Sequence, residues 1–327
     1  LPRGHIYSND LAYLLIHIRG LTAKELISVI HRTKQYDDHF PLEYVLGALE
    51  HGTETIRSDI IPLTVEQAKE IFKCHKRPSC LDESPIIIDL IEQIDLLLQK
   101  KYNGEAFVKI SSASGKDALD ESHPQFRTYF NNYMQSPYYL DTLKNAPYYN
   151  ITWEMNYRVC AISNVHQQIL RIENGRQAME MLIMSQKVIA HLAAAIVFPN
   201  SFRKSIIVRE WVRMNVEEEF RGWVVNDKLM AVSQFSYFCY NESLVKHQAK
   251  ISHAIEKFFN ETVRPKFDTR LPRGVKPPSE YMIDFYVYDW ESENPKVMVL
   301  EIGGISEYSG LFNHDIDTDV FDGSKTN

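Results

Sequence analysis

Apolar and polar positions follow two periods along this chain. The residues at 207–235, IVREWVRMNVEEEFRGWVVNDKLMAVSQF, are dense in Val, Ile, Trp and Phe and read as two or three strands. Asn226, Asp227 and Lys228 break that run as a turn would. Residues 105–110 form a short strand with Lys109 embedded in it. Residues 281–288, YMIDFYVY, and 296–302, KVMVLEI, read as a hairpin joined by the linker 289–295, with Asp284 in one strand and Glu301 near the end of the other.

The helical period dominates elsewhere. Residues 8–100 read as mainly helical. Ser8 to Asp10 and the capping box at Thr22 to Glu25 start helices, residues 42–49 form a short apolar segment, and Thr64 to Gln67 opens another helix. Pro85 starts a long amphipathic helix on which Ile88, Ile91, Leu96 and Leu98 mark the apolar stripe. Residues 173–197 predict one continuous helix stopped by Pro199. A helix follows over 244–261, and residues 264–278 read as a loop rich in Pro, Arg and Lys.

Charges complicate the strand reading. Arg209, Glu210, Glu219 and Arg221 sit at strand positions, where a charge is costly unless it is paired or faces a cleft. Two readings stand on pattern alone: the solvated face of an antiparallel sheet, or the lining of a ligand site. The strand bearing Lys109 runs into a small, hydroxyl-rich loop, Ser111 to Asp117. A cationic strand and loop, a charged hairpin and a carboxylate-bearing hairpin are parts that a nucleotide–magnesium site requires.

Composition narrows the classes. The chain has 327 residues, 44% hydrophobic and 24% charged, as an ordinary globular protein does. A net charge of −7 argues against a mainly nucleic-acid-binding surface and leaves room for a local basic groove. Cys74, Cys80, Cys160 and Cys239 form no C-x-x-C pair and read as reduced, structural thiols of a cytoplasmic protein. No run reaches the roughly 18 apolar residues of a membrane helix, and no signal peptide opens the sequence. The first residue is not Met, so the expectation is a trimmed or tagged chain. The recurring tyrosines at 129–149 read as surface packing rather than base stacking. Asp315, Asp317, Asp319 and Asp322 alternate in the acidic tail, which lacks the central Gly and closing Glu of a calcium loop.

The order FVKISS…KDA, VREW…EEFRGWVV…KLMAVSQ, MIDFYVYD…VMVLEIG, over about 107–312, resembles the cell-division-cycle protein 123 family, a divergent clade of ATP-grasp proteins. The resemblance implies an α+β ATP-grasp fold, two lobes with antiparallel sheets enclosing a nucleotide cleft, plus a helical N-terminal region. The blocks expected are 1–101, 102–205 with the Lys109 strand, 206–312 with the hinge and metal strands, and a tail at 313–327. ATP and Mg2+ are the implied cofactors. Lys109 falls to the α/β-phosphates, and Ser111, Ser112 and Lys116 to a loop folding over them, which is not a Walker loop. Arg209, Glu210, Trp211 and Val212 resemble the interdomain hinge whose backbone reads the adenine edge. Arg221 is the second phosphate cation by resemblance, oriented by Glu219, and Asp284 and Glu301 are the magnesium ligands. The family carries Asn one residue beyond the spacer of its second metal strand, where this chain has Gly303.

The family acts as an ATP-dependent assembly chaperone for translation initiation factor 2, so the implied partner is that factor's γ subunit or another protein, with no membrane. The alternative is an ADP-forming carboxylate–amine ligase working through an acyl-phosphate, or an ATP-grasp enzyme of RNA repair, with Lys109 and Arg221 as the catalytic cations.

Overall fold

The computed structural model describes residues 40–77, 79–111, 113–119, 124–137, 139–140, 151–197, 199 and 202–304. The expected helices before residue 40, Ser112, several of the tyrosines, Phe312 and the acidic tail lie outside the described residues.

In chain order the elements are α1 (Leu42–Ala48), β1 (Ser58–Pro62), α2 (Val65–Lys76), α3 (Cys80–Glu83), α4 (Pro85–Lys101), β2 (Ala106–Ile110) and β3 (Ala113–Ser114). A 3-10 turn at Lys116–Ala118 precedes α5 (Phe126–Met134), α6 (Ile151–Gln168), α7 (Gly175–Met184), α8 (Gln186–Val197) and β4 (Ser205–Glu210). Then come β5 (Glu219–Val225), β6 (Lys228–Gln234), α9 (Glu242–Phe258), a π turn at Phe259–Val263, α10 (Arg264–Arg270), β7 (Glu280–Tyr288) and β8 (Lys296–Gly303). The fold class is α+β, with two four-stranded antiparallel sheets. They belong to two compact units, each assembled from separate stretches of sequence.

The first unit contains Ser58–Leu119 and Leu170–Trp211. Its sheet runs β1-β4-β2-β3. One face is apolar: Ile61, Ile206, Ile110 and Ala113 lie in one cross-strand row, and Val208 and Val108 oppose each other in the next. Helices α2, α4, α7 and α8 bury Ile71, Leu90, Leu182 and Leu192 in the same core. Each such side chain contributes about 1.5–3 kcal/mol. Thr64 caps α2 through a reciprocal capping box with Gln67, as the sequence predicts. α7 and α4 touch so closely that a Cβ on Gly175 would lie 2.2 Å from the Ile91 carbonyl oxygen.

The second unit contains Leu42–Arg57, Asp120–Ile169 and the chain from Val212 onward. Its sheet runs β6-β5-β7-β8. The turn between β5 and β6 is the expected one: Asn226 (φ 49°) and Asp227 (φ 62°) both take left-handed backbone, the geometry that matches strand twist in a two-residue hairpin. Phe285, Ile283 and Gly222 share one face, and Phe258 of α9 meets Phe285 edge to face. Asn241 caps α9 by accepting from the Ser243 and Leu244 amides.

Four local expectations are corrected. Residues 58–62 form a strand inside the stretch read as helical, because Ser58 to Pro62 pair in register with β4. The stripe of α4 is Ile87, Leu90, Ile94 and Leu98, whereas Ile88 and Leu96 are exposed. The continuous helix at 173–197 is two helices. Ser185 takes extended backbone and its Oγ accepts from the Val188 amide, while Asp117 accepts from Ser185 Oγ and the Lys187 amide, so a side-chain cap replaces helix continuation. Residues 264–270 are helical rather than loop, since Pro265 sits in the first turn, where its missing N–H costs nothing. The register of α4 is tested by truncation. Ile94→Ala is expected to lose about 2–5 kcal/mol in urea unfolding, and Leu96→Ala about 0.5 kcal/mol or less. Equal losses would refute the assigned face.

Candidate functional site

In the second unit the strand register sets a row of ionic side chains across the sheet. Arg221 on β5 stands opposite Asp284 on β7, and Asp284 opposite Glu301 on β8. The alignment depends on an irregularity between Asp284 and Phe285. Phe285 pairs with Val299, so an unbroken ladder would put Leu300 opposite Asp284 and Glu301 on the apolar face. The bulge moves Glu301 onto the polar face, a common use of bulges at functional sites.

The row is tightly bonded. Arg221 donates to both oxygens of Asp284, Nε to Oδ1 at 2.7 Å and Nη2 to Oδ2 at 2.8 Å, the bidentate geometry in which guanidinium–carboxylate pairs are strongest. The guanidinium also lies over the Phe235 ring, 4.6 Å from its centroid. Burial works against its charge, but Asp284, Glu219 and Glu301 outweigh burial and raise its pKa further above the ordinary range. One pleat away on β5, buried Glu219 accepts from Gln167 Nε2 of α6 at 3.2 Å. On the other side, also on the same face, the Trp223 indole N–H is buried without a hydrogen-bond partner among the described residues. Asn164 of α6 accepts from the Val216 amide and holds the start of β5. Asn164 and Gln167 were missed in the sequence, where nothing but their spacing of three on one helix would have pointed to them.

In the first unit, the sheet face opposite the apolar core carries the basic residues. Lys109 pairs with Ile207 and Ser114, and Arg209 with Ser58 and Phe107, so Lys109 and Arg209 share that face. Lys109 is 1% exposed, among the most deeply buried large side chains. Arg209 is buried as well, and its Nε donates to Ser58 Oγ at 3.1 Å. Ser111 is spent locally: its Oγ accepts from the Ser205 amide at 2.9 Å. Lys116 is exposed in the 3-10 turn, and Glu210 is half-buried at the end of β4. Trp211 packs on the first unit's core, whereas Val212 packs on the second unit's cluster of Ile56, Tyr286, Met298 and Leu300. The boundary between the units therefore falls inside the tetrad 209–212.

Chemically, Asp284 and Glu301 present hard oxygen donors on neighbouring strands, the donor type magnesium takes. Both Asp284 oxygens accept from Arg221, and a carboxylate oxygen can accept more than one such contact. Gly303 adds no side-chain oxygen. The carboxylates therefore fit a divalent cation, with a smaller donor set than a three-ligand site.

Fold and site together define an α+β protein with two antiparallel sheets, one carrying a guanidinium–carboxylate row and the other a buried lysine. The D123 family model matches residues 181–313. Cell division cycle protein 123 of Yarrowia lipolytica is 28% identical over 134 residues, which is 38% of this chain and 32% of that protein. The match thus spans about a third of the relative's length. Two solved structures are also similar. Cdc123 from Schizosaccharomyces pombe gives a TM-score of 0.47 at 16% identity, covering 77% of this chain and 78% of that one. Its C-terminally truncated form gives 0.45 at 15%, covering 76% and 78%. Residues 181–313 are thus similar to the D123 family, that of cell division cycle protein 123. Arg221, Asp284 and Glu301 lie inside the matched stretch, and Lys109 lies before it. Among the described residues no helix is long and apolar enough to cross a membrane.

The ion pair carries a testable cost. Arg221→Ala strands the buried Asp284 carboxylate without its bidentate partner. The expected loss in denaturant unfolding is near the lower end of about 3–5 kcal/mol, since Arg221 keeps 20% of its side chain exposed. The double variant Arg221→Met/Asp284→Leu should recover most of that loss.

Proposed function

We propose that this chain binds ATP with Mg2+ and uses the bound nucleotide to engage a protein partner, as an ATP-grasp member of the D123 family. The observation that carries the reading is the register row Arg221–Asp284–Glu301, inside the stretch that matches the family. A guanidinium is suited to phosphate oxygens, and two adjacent carboxylates to a magnesium ion. Asp284 and Glu301 would hold the ion, which when bound neutralises phosphate charge. The buried Trp223 N–H supports a ligand-facing role for that side of the sheet, since a buried donor without a partner is costly. Lys109 keeps its sequence assignment as a phosphate cation. Its deep burial fits a lysine retained for its charge rather than for solubility.

Partner engagement rather than turnover is favoured by Gly303, which removes one side-chain oxygen from the second metal strand. By family resemblance the partner is translation initiation factor 2 through its γ subunit, with the chain acting as an assembly chaperone in the cytoplasm.

Isothermal titration with ATP, with and without Mg2+, tests the reading. Binding should strengthen with Mg2+ in the native chain, and that dependence should vanish in Asp284→Ala. Arg221→Lys and Lys109→Met should each weaken ATP binding about tenfold or more, the worth of one charge-assisted contact. ATP affinity and Mg2+ dependence unchanged in Asp284→Ala would overturn the site. ADP formation over hours with candidate acceptors would replace the chaperone reading with the ligase.

A further inference from the structure

The first unit holds a second cluster of ligand-type side chains, far in sequence from the ionic row. Glu70 and Cys74 lie one turn apart on α2, so they project from the same helix face. Three residues separate α2 from α3. The Arg77 amide donates to the Cys74 carbonyl at 3.0 Å, and the Cys80 amide to the Arg77 carbonyl at 2.9 Å. These two bonds place Cys80, the first residue of α3, beside Cys74. One ligand atom from each of Glu70, Cys74 and Cys80 lies within 4.8 Å of the others. Both thiols are buried, while Glu70 is only partly covered and pairs with Lys73 at 3.2 Å.

We propose that Glu70, Cys74 and Cys80 form a binding site for zinc or a similar borderline-soft divalent cation, with the fourth position left to water or another donor. Two sulfurs and one carboxylate oxygen are a donor set that zinc accepts, with bonds of about 2.3 Å to sulfur and about 2.0–2.2 Å to oxygen. Calcium and magnesium take oxygen ligands and would not select two sulfurs. Binding exchanges two thiol protons for the cation. Both protons go to solvent, and no electron moves. Without the cation, burial and the neighbouring thiol favour the protonated form of Cys74, whose pKa is pushed up to about 12. A divalent charge reverses that balance. With two thiolates and one carboxylate around the cation, the cluster carries one surplus negative charge, and the Lys73 ammonium stands beside Glu70 to offset it.

The arrangement is more specific than a chance meeting of thiols. Cys160 and Cys239 also meet as a buried pair, with Ser163 beside them. Among the described residues they do not join a cluster of three such ligands, whereas Cys74 and Cys80 do. The second pair is therefore an internal control.

The test uses the full chain, freshly reduced, titrated with Co2+ as a spectroscopic probe and then with Zn2+. One equivalent of Co2+ should give thiolate-to-cobalt charge-transfer absorption that Zn2+ abolishes. Cys74→Ser and Cys80→Ser should each remove it, and Glu70→Gln should weaken affinity about 10–100-fold. Cys160→Ser/Cys239→Ser should leave it intact. Where a serine variant does not fold, the native chain still decides the matter. Zn2+ should protect Cys74 and Cys80, but not Cys160 and Cys239, from alkylation in mild denaturant, and should raise the melting temperature of the native chain. Absence of thiolate absorption, or absorption lost only in the Cys160/Cys239 variant, overturns the proposal. So does oxidation of Cys74 and Cys80 to a disulfide in a chain that takes up no metal.

Discussion

The bidentate pair between Arg221 and Asp284 is the constraint on which the second unit's sheet depends. A carboxylate in the interior of a β strand would ordinarily be excluded, because burying an unpaired charge costs several kcal/mol. Pairing across β5 and β7 offsets that cost only while the register holds. A one-residue slip would carry Arg221 or Asp284 to the apolar face beside Ile283 and Phe285. The ion pair therefore acts as a register lock. The Asn226–Asp227 turn enforces the neighbouring register of β5 and β6 through backbone that only a few residue types adopt readily.

The bulge on the β7–β8 pair adds a second level. Regular pairing gives Phe285 opposite Val299 and would leave Glu301 against the core. One irregular step returns Glu301 to the side of Asp284. Two acidic side chains are thereby set next to one another, an arrangement that is unfavourable for an isolated sheet. Arg221 relieves it on one side, and its raised pKa reflects the pull of Asp284, Glu219 and Glu301 together. A sheet that maintains such a grouping has kept it against the simpler alternative of apolar residues on both faces. That grouping supports the proposal that the row serves a ligand as well as the register.

What the sequence disclosed follows from the same physics. Strand existence was legible at 219–225, 280–288 and 296–303, where β-branched and aromatic residues are concentrated and turns are marked by Asn, Asp and Pro. The hairpin at Asn226 was legible because its backbone demands specific residues. The face of α4 was not, because Ile86, Ile87, Ile88, Leu90, Ile91, Leu96, Leu97 and Leu98 ring the helix so densely that several stripes are consistent with them. Tertiary packing chose Ile87, Leu90, Ile94 and Leu98. The break at Ser185 was hidden because its cap partner, Asp117, lies 68 residues away. The strand at 58–62 was hidden because SDIIP is short and gains its order from β4, far along the chain. For the site, the types and order of Arg221, Asp284 and Glu301 could be read directly, but not the bidentate bond. Gln167 and Asn164 were invisible, since an amide on a helix gives no sign of which distant strand it will meet.

The reach of the family match has a physical interpretation of the same kind. It begins at residue 181 and ends at 313, so it takes in the whole of the second sheet and β4 but stops short of β1, β2 and α4. Cores built by helices on a sheet tolerate wide exchange of apolar residues if volume and pattern are kept, so their sequences drift while the packing survives. The first unit is of that kind, with Ile, Leu, Val and Met at most of its buried core positions. An ionic row in strand register has no such freedom. Replacing Arg221 with Lys removes the fork, and moving Glu301 by one residue turns it into the core. The matched stretch contains the whole of that row.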